Sequence, residues 1–97
     1  MNKKYLVPVN EFCASHKIEI SFVSSLQNSG LIELRTIRES AFIEVEQLQK
    51  LEKFIRLYYE LDINLEGIET INYLLQRISS MNEEITVLRN KLRLYES

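Results

Sequence analysis

The spacing of apolar residues in the first third of the chain predicts two short helices joined by a tight turn. The helices cover residues 9–16 and 20–29, and the turn covers 17–19. Apolar side chains recur at helical intervals in both, so each helix has one face suited to a core. These side chains are Val9, Phe12 and Cys13 in the first helix and Phe22, Val23 and Leu26 in the second.

Local sequence signals mark both ends of this helix pair. Tyr5-Leu6-Val7 is predicted to be a short extended segment. Pro8 suits the start of a helix because the N–H that proline lacks has no partner at that position. Gly30 follows Asn28-Ser29 and is expected to end the second helix in the left-handed conformation. The helix pair is therefore bounded by Pro8 and Gly30.

The next segment, LIELRTIRESAFIEV, alternates imperfectly between apolar and polar positions. We predict a small hairpin in which residues 33–37 pair with residues 41–44, with Arg38-Glu39-Ser40 as the turn. A helix is the alternative here, because the segment has no Asn-Gly or Asp-Gly pair to make a tight turn.

The second half of the chain is predicted to be helical. Residues 46–97 contain one glycine and no proline, and apolar residues recur at helical spacing from Glu46 to Leu61. Asn64 is a suitable N-cap for a further helix, and Ile63 and Ile68 have the spacing of a hydrophobic staple around it.

The last helix has apolar residues at alternating intervals of three and four, which is a heptad pattern. The seam extends for about 37 Å at 1.5 Å per residue, and no other predicted element is long enough to cover it. We predict that it associates with a second copy of the chain; folding back over the 46–61 helix is the alternative. The seam begins at Ile71, and the predicted dimerisation residues are Leu74, Ile78, Met81, Ile85, Leu88, Leu92 and Tyr95.

Composition narrows the range of functions. The net charge of the 97 residues is −2, and neither half of the chain is basic, so no broad electrostatic footprint for nucleic acid is present. The second helix and its continuation, from Ile20 to Ile32, contain no lysine or arginine. A cytoplasmic location is expected, because the N-terminus lacks an apolar signal sequence, no apolar run is long enough for a membrane span, and Cys13 is the single cysteine.

Candidates for catalytic or metal chemistry are few. Cys13 and His16 lie three residues apart, but a structural zinc site needs four ligands and the chain has no other cysteine or histidine. We expect Cys13 to pack in the core and His16 to lie at the surface. Ser24-Ser25 has no nearby base, and no glycine-rich phosphate loop exists. We therefore predict neither an enzyme nor a bound cofactor or metal.

The order helix, turn, helix, small wing, two helices and coiled-coil tail resembles the MerR-like winged helix family. The stretches that carry the resemblance are VPVNEFCASHKIEISFVSSLQNSGLIE and FIRLYYELDINLEGIETINYLL. It implies a mainly α fold with a winged helix-turn-helix over residues 1–70, a β-hairpin wing, and a coiled-coil helix over residues 71–97, in one compact domain. DNA-binding members typically carry Arg-Tyr-Tyr-Glu before the closing glycine, where this chain has Ser24, Ser25, Leu26 and Gln27.

The chain also resembles CbpM-type chaperone modulators, which are small MerR-like proteins. The residues that carry this resemblance are NEFC at 10–13, SGLIE at 29–33, RLYYELDINLEGI at 56–68 and LRNKL at 88–92. The resemblance implies a non-enzymatic modulator, an inhibitor, that binds the J-domain of a DnaJ-like co-chaperone of the curved-DNA-binding protein A type.

A J-domain presents a basic helix, so its partner is expected to offer carboxylates. A tyrosine would anchor such an interface, and we expect one residue of the Tyr58-Tyr59 pair to be buried and the other available. The predicted partner-binding residues are Tyr58, Tyr59, Glu60, Asp62, Glu66 and Glu69.

Two other functions compete with this hypothesis. The first is a MerR-like DNA-binding transcriptional regulator that contacts phosphates through Lys17, Arg35 and Arg38, together with Lys3-Lys4. The second is a dimerisation module that binds neither partner.

Overall fold

The protein is mainly helical, with one small antiparallel sheet, as the sequence predicts. The computed structural model describes residues 5–96. The helices are α1 (Val9–His16), α2 (Ile20–Asn28), α3 (Val45–Ile55) and α4 (Leu65–Glu96), and a π-helical turn (Arg56–Glu60) continues α3. The strands are β1 (Leu6–Pro8), β2 (Arg35–Ile37) and β3 (Ser40–Glu44). This order matches that of a winged helix-turn-helix followed by a long helix.

The wing is a hairpin, but its turn is shorter than predicted. Arg35 pairs with Phe42 and Ile37 pairs with Ser40, so two residues, Arg38 and Glu39, form the turn. Both have positive φ, 50° and 68°, which is the backbone of the tight hairpin turns that usually contain Asn-Gly. The predicted hairpin is confirmed, but its first strand begins at Arg35 rather than at residue 33 and its turn has two residues rather than three. The helical alternative for this segment was wrong.

The sheet has a third strand, β1, which the sequence predicted only as an extended segment. β3 lies between β1 and β2, and Val7 pairs with Ile43. The Ile43 side chain is fully buried. Since a slip of one residue would turn Ile43 away from the core, its burial fixes the register of β3 against both neighbours.

The two helices of the helix-turn-helix end in the same backbone motif. After α1, Lys17 has φ 56° and the Ile18 N–H donates to Cys13 O at 3.0 Å. After α2, Gly30 has φ 78° and the Leu31 N–H donates to Leu26 O at 2.9 Å. The predicted left-handed glycine is confirmed, although α2 itself ends one residue early, with Ser29 as its C-cap.

A single hydrophobic core joins α1, α2, β3, α3 and the first turn of α4. It also includes two residues that follow Gly30, so the segment leading into the wing is anchored. The Asn64 cap is confirmed, because the Gly67 N–H donates to Asn64 Oδ1 at 2.8 Å. The buried residues are Val9, Phe12, Cys13, Phe22, Val23, Leu26, Leu31, Ile32, Ile43, Leu51, Phe54 and Ile68.

Beyond its first turns, α4 extends away from the core. Ile68 is fully buried, whereas every described residue from Tyr73 onward is exposed. The helix has 32 residues, or about 48 Å at 1.5 Å per residue, and it does not fold back over α3. It also runs unbroken through the predicted boundary at residue 70, so that division stays a prediction. Among the described helices, none is long and apolar enough to span a membrane.

Candidate protein-binding surface

The outward face of α2 carries no charge. Its exposed side chains are polar or apolar but neutral, and the residue that precedes the helix, Glu19, is acidic. Ser21 Oγ donates to Glu19 Oε2 at 3.2 Å, which keeps the carboxylate at the helix start. A phosphate approaching this end of α2 would meet a negative charge. The exposed residues of the helix are Ile20, Ser21, Ser24, Gln27 and Asn28.

The three cations predicted for DNA contact lie on two different features. Lys17 lies in the turn between α1 and α2, and Arg38 lies at the tip of the wing. Arg35 lies on β2, where its Nη1 is 3.7 Å from Glu44 Oε1, so its charge is partly offset within the wing. Lys3-Lys4 lies outside the described residues.

An aromatic cluster joins the start of α2 to the π-helical turn. The Phe22 ring lies 4.4 Å from the Tyr58 ring and 5.4 Å from the Tyr59 ring, measured between centroids. The two tyrosine rings meet edge to face at 5.0 Å. Tyr59 Oη also accepts a hydrogen bond from the Glu19 N–H at 3.2 Å. Both rings are therefore held in place by contacts with α2.

Tyr58 and Tyr59 remain partly exposed, at 39% and 40%. The expectation that one of them would be buried was wrong. It assumed α-helical geometry, but Leu61 N–H donates to Arg56 O at 3.2 Å, which is the wider i to i+5 hydrogen bond of a π turn. In this wider turn both rings lie beside Phe22 and both keep a solvent-facing part.

A shallow depression of about 360 Å³ opens beside the two tyrosines, at the junction between the π-helical turn and α4. Asp62 lies in it with a left-handed backbone, φ 54°. Ile63 and Asn64 also line the depression. The sequence predicted them only as a hydrophobic staple and an N-cap, and not as part of a surface site. The residues that line the depression are Tyr58, Tyr59, Asp62, Ile63 and Asn64.

The other predicted acidic residues surround this junction without lining the depression. Glu60 Oε2 is 3.5 Å from Arg56 Nε, an exposed ion pair. Glu66 and Glu69 lie in the first turns of α4, both exposed. Within residues 5–96, the carboxylates of Asp62, Glu66 and Glu69 have no ion-pair partner. The junction therefore presents three acidic groups that have no ion-pair partner in the described part of the chain.

The heptad seam of α4 is open to solvent from Leu74 onward, whereas Ile71 is half-buried. The exposed fraction is 45% at Met81 and Ile85 and rises to 89% at Tyr95. Other exposed apolar residues lie off the seam, at Tyr73, Leu75, Val87 and Leu94, and the heptad pattern did not single them out. The predicted dimerisation residues that share this exposure are Leu74, Ile78, Met81, Ile85, Leu88, Leu92 and Tyr95.

Cys13 and His16 have the structural placements expected for them. Cys13 is 2% exposed, and burial raises the pKa of its thiol. The His16 ring stacks on Phe12 at 3.9 Å, and its Nε2 lies 3.9 Å from Glu52 Oε2. No group of three or more potential metal ligands occurs among residues 5–96.

Most of the chain matches a known protein family. A family model described as MerR HTH family regulatory protein matches residues 7–90. The chain belongs to the MerR helix-turn-helix family. The match extends from β1 to near the end of α4 and so includes the helix-turn-helix, the wing and most of the seam. No curated protein and no solved structure matches the chain at a significant level.

Proposed function

We propose that this MerR-family chain binds a protein rather than DNA, and that it inhibits a DnaJ-like co-chaperone by binding its J-domain. The observation that carries the proposal is the neutral outward face of α2 beside the acidic Glu19. Affinity for DNA comes largely from neutralised phosphates. A helix in the DNA-reading position with no cation and an adjacent carboxylate is better suited to contact protein.

The proposed contact surface is the junction between the π-helical turn and α4. It combines two half-exposed tyrosines with three carboxylates that have no ion-pair partner among the described residues. Tyrosine is enriched among residues that dominate binding energy. Opposite charges on the two partners speed their encounter and fix orientation. A basic helix, such as the one that a J-domain presents, is complementary to such a surface.

We also propose that the active species is a homodimer formed through α4. About six turns of helix carry an exposed apolar seam, and an exposed apolar surface of this length is costly for a soluble monomer. Pairing of two seams buries it by the knobs-into-holes packing of a coiled coil.

A MerR-like transcriptional regulator is the second candidate, and the family match favours it, since its members are described as regulatory proteins. In this case Lys17, Arg35 and Arg38 would bind phosphates. A phosphate contact carries no sequence information, so Lys17→Ala and Arg38→Ala would each weaken a DNA complex about equally for all sequences and lower its salt slope by about one.

Binding to the two partners separates the candidates. We expect the 97-residue chain to bind a J-domain protein from the same organism in a pull-down and by calorimetry, and to inhibit its co-chaperone activity. We expect no shift of duplex DNA, even at about 50 mM salt, where electrostatic affinity is high. Shifted DNA together with no J-domain binding would favour the regulator, and association of the chain with itself alone would favour a dimerisation module.

Charge reversal tests the surface. Glu66→Lys/Glu69→Lys should weaken J-domain binding, because both side chains are exposed at the junction. Glu39→Lys/Glu83→Lys is the matched control: it changes the net charge equally, at exposed positions on the wing tip and further along α4. If both double variants bind equally well, the acidic junction is not the contact surface, even where the partner is correct.

A further inference from the structure

We infer that the depression beside Tyr58, Tyr59 and Asp62 receives the guanidinium of one arginine side chain from the protein partner. This inference rests on the proposed function for the nature of the partner, and it adds the chemical group that is recognised. The depression brings together two aromatic rings and a carboxylate, which are the two kinds of group that bind guanidinium best.

The aromatic side of the depression is already fixed in position. Phe22 contacts both tyrosine rings, at 4.4 and 5.4 Å, and the Glu19 N–H holds Tyr59 Oη at 3.2 Å. Rings that are held in this way lose little entropy when a ligand packs on them. About 40% of each tyrosine remains exposed, so ring surface is available for a cation.

The charge in the depression is negative. Asp62 is the one ionised residue that lines it, and its carboxylate has no ion-pair partner among residues 5–96. The nearest cation along the turn, Arg56, is paired with Glu60 at 3.5 Å. An anionic ligand would meet an uncompensated carboxylate here, whereas a cation would gain a charge-assisted hydrogen bond.

The depression has room for one side chain of the partner. Its volume is about 360 Å³, which is close to the smallest pockets that hold small molecules, at about 300 Å³. Arginine fits better than lysine because its planar guanidinium stacks on aromatic rings while its N–H groups still reach a carboxylate. Ile63 adds an apolar wall for the methylene part of the side chain.

A small-molecule probe tests the pocket on the 97-residue chain. N-acetyl-arginine amide should produce saturable NMR shifts at the ring signals of Tyr58 and Tyr59 and at the amides of Asp62 and Asn64. N-acetyl-citrulline amide has the same shape without the charge and should produce much smaller shifts. Equal shifts with the two probes, or no shifts at these residues with arginine, would overturn the inference.

Variants then test the pocket in the complex with the J-domain protein. Asp62→Asn should weaken binding about tenfold or more, because it removes the negative charge and one of the two acceptor oxygens that a guanidinium would contact. Asparagine adopts the left-handed backbone readily, so φ 54° is retained. Tyr58→Phe keeps the ring face and should bind like the natural chain, whereas Tyr58→Leu should bind several-fold more weakly. Tyr73→Leu is the matched control, since this tyrosine is exposed on α4 outside the depression.

The results distinguish this inference from the proposed function. If the J-domain protein binds and Asp62→Asn changes its affinity less than twofold, the arginine pocket is wrong and the proposed function stands. If the J-domain protein does not bind, but the arginine probe still shifts the four residues and Asp62→Asn abolishes the shifts, the proposed partner is wrong and the pocket stands.

Discussion

Gly30→Ala should destabilise the fold through backbone strain, which the lower entropy of the unfolded chain offsets in part. Gly30 ends α2 with φ 78°, and a Cβ built on it would have no atom within 4 Å. No steric contact therefore contributes to the effect. The left-handed conformation costs a residue with a Cβ about 1–2 kcal/mol, and the lower entropy of the unfolded chain with alanine offsets about 0.4–1 kcal/mol of this cost. A net loss of about 0.8 kcal/mol lowers the Tm of a domain of this size by about 3–6 °C.

The structure provides the reverse substitution in the same motif. Lys17 ends α1 as Gly30 ends α2, with φ 56° and equivalent backbone hydrogen bonds. Lys17→Gly should therefore relieve strain. Part of this gain in stability is lost, because glycine also increases the entropy of the unfolded chain, which costs about 0.4–1 kcal/mol of folding free energy. We expect a net stabilisation of about 0.5 kcal/mol.

Urea unfolding followed by far-UV circular dichroism measures both changes as shifts of the midpoint at constant slope. Protein concentration must be the same throughout, since the proposed dimerisation would make stability depend on it. Ser24→Ala on the exposed face of α2 is the control, expected to lie within about 0.5 kcal/mol of the natural chain. If Gly30→Ala is as stable as this control, or if Lys17→Gly is less stable than the natural chain, the strain argument is refuted.

Three further predictions concern the seam, the core thiol and the α4 cap. Ile85→Glu should convert the proposed dimer to a monomer in light scattering, whereas Gln76→Glu, off the seam, should leave the association unchanged. Because burial raises the pKa of Cys13, the unfolded chain loses this proton first, so stability should fall as pH rises above about 9. That fall should be smaller in Cys13→Ala. Asn64→Ala removes the bond to the Gly67 N–H and should cost about 1 kcal/mol in urea unfolding, and an unchanged midpoint would contradict the cap assignment.

The helices were predictable because their signals are local. The spacing of Phe22, Val23 and Leu26 identified α2, Gly30 marked its end, and Asn64 marked the start of α4. Each of these features depends on a few neighbouring residues and on backbone geometry that a single side chain type favours.

The sheet was less predictable because its pairing is not local. Leu6 pairs with Glu44, 38 residues later, and no short pattern in either strand indicates this contact. The turn at Arg38-Glu39 also lacks the residues that usually adopt positive φ. Its conformation is imposed by the buried Ile43 and by the pairing of β3 on both sides.

Some features of the candidate site were likewise predictable from the sequence, and others were not. The absence of cations from α2 and the presence of acids near Asp62 are visible in the sequence. The depression is not, because it requires the π-helical turn and the left-handed Asp62, which place both tyrosines at the surface. Helical periodicity assigns one fixed angle per residue and therefore cannot anticipate a local widening of the helix.

The small number of cations near α2 also limits the salt dependence of any DNA complex. The three candidates Lys17, Arg35 and Arg38 give six phosphate contacts in a dimer. With about 0.9 counterions released per contact, affinity would fall about a thousandfold between roughly 50 and 200 mM salt. Arg35 is already 3.7 Å from Glu44, and without it the fall is about a hundredfold. Tight DNA binding at physiological salt would then require base contacts from α2, whose exposed face has no charged donor. The same face costs a protein partner little to cover, because it carries no charge that must be desolvated.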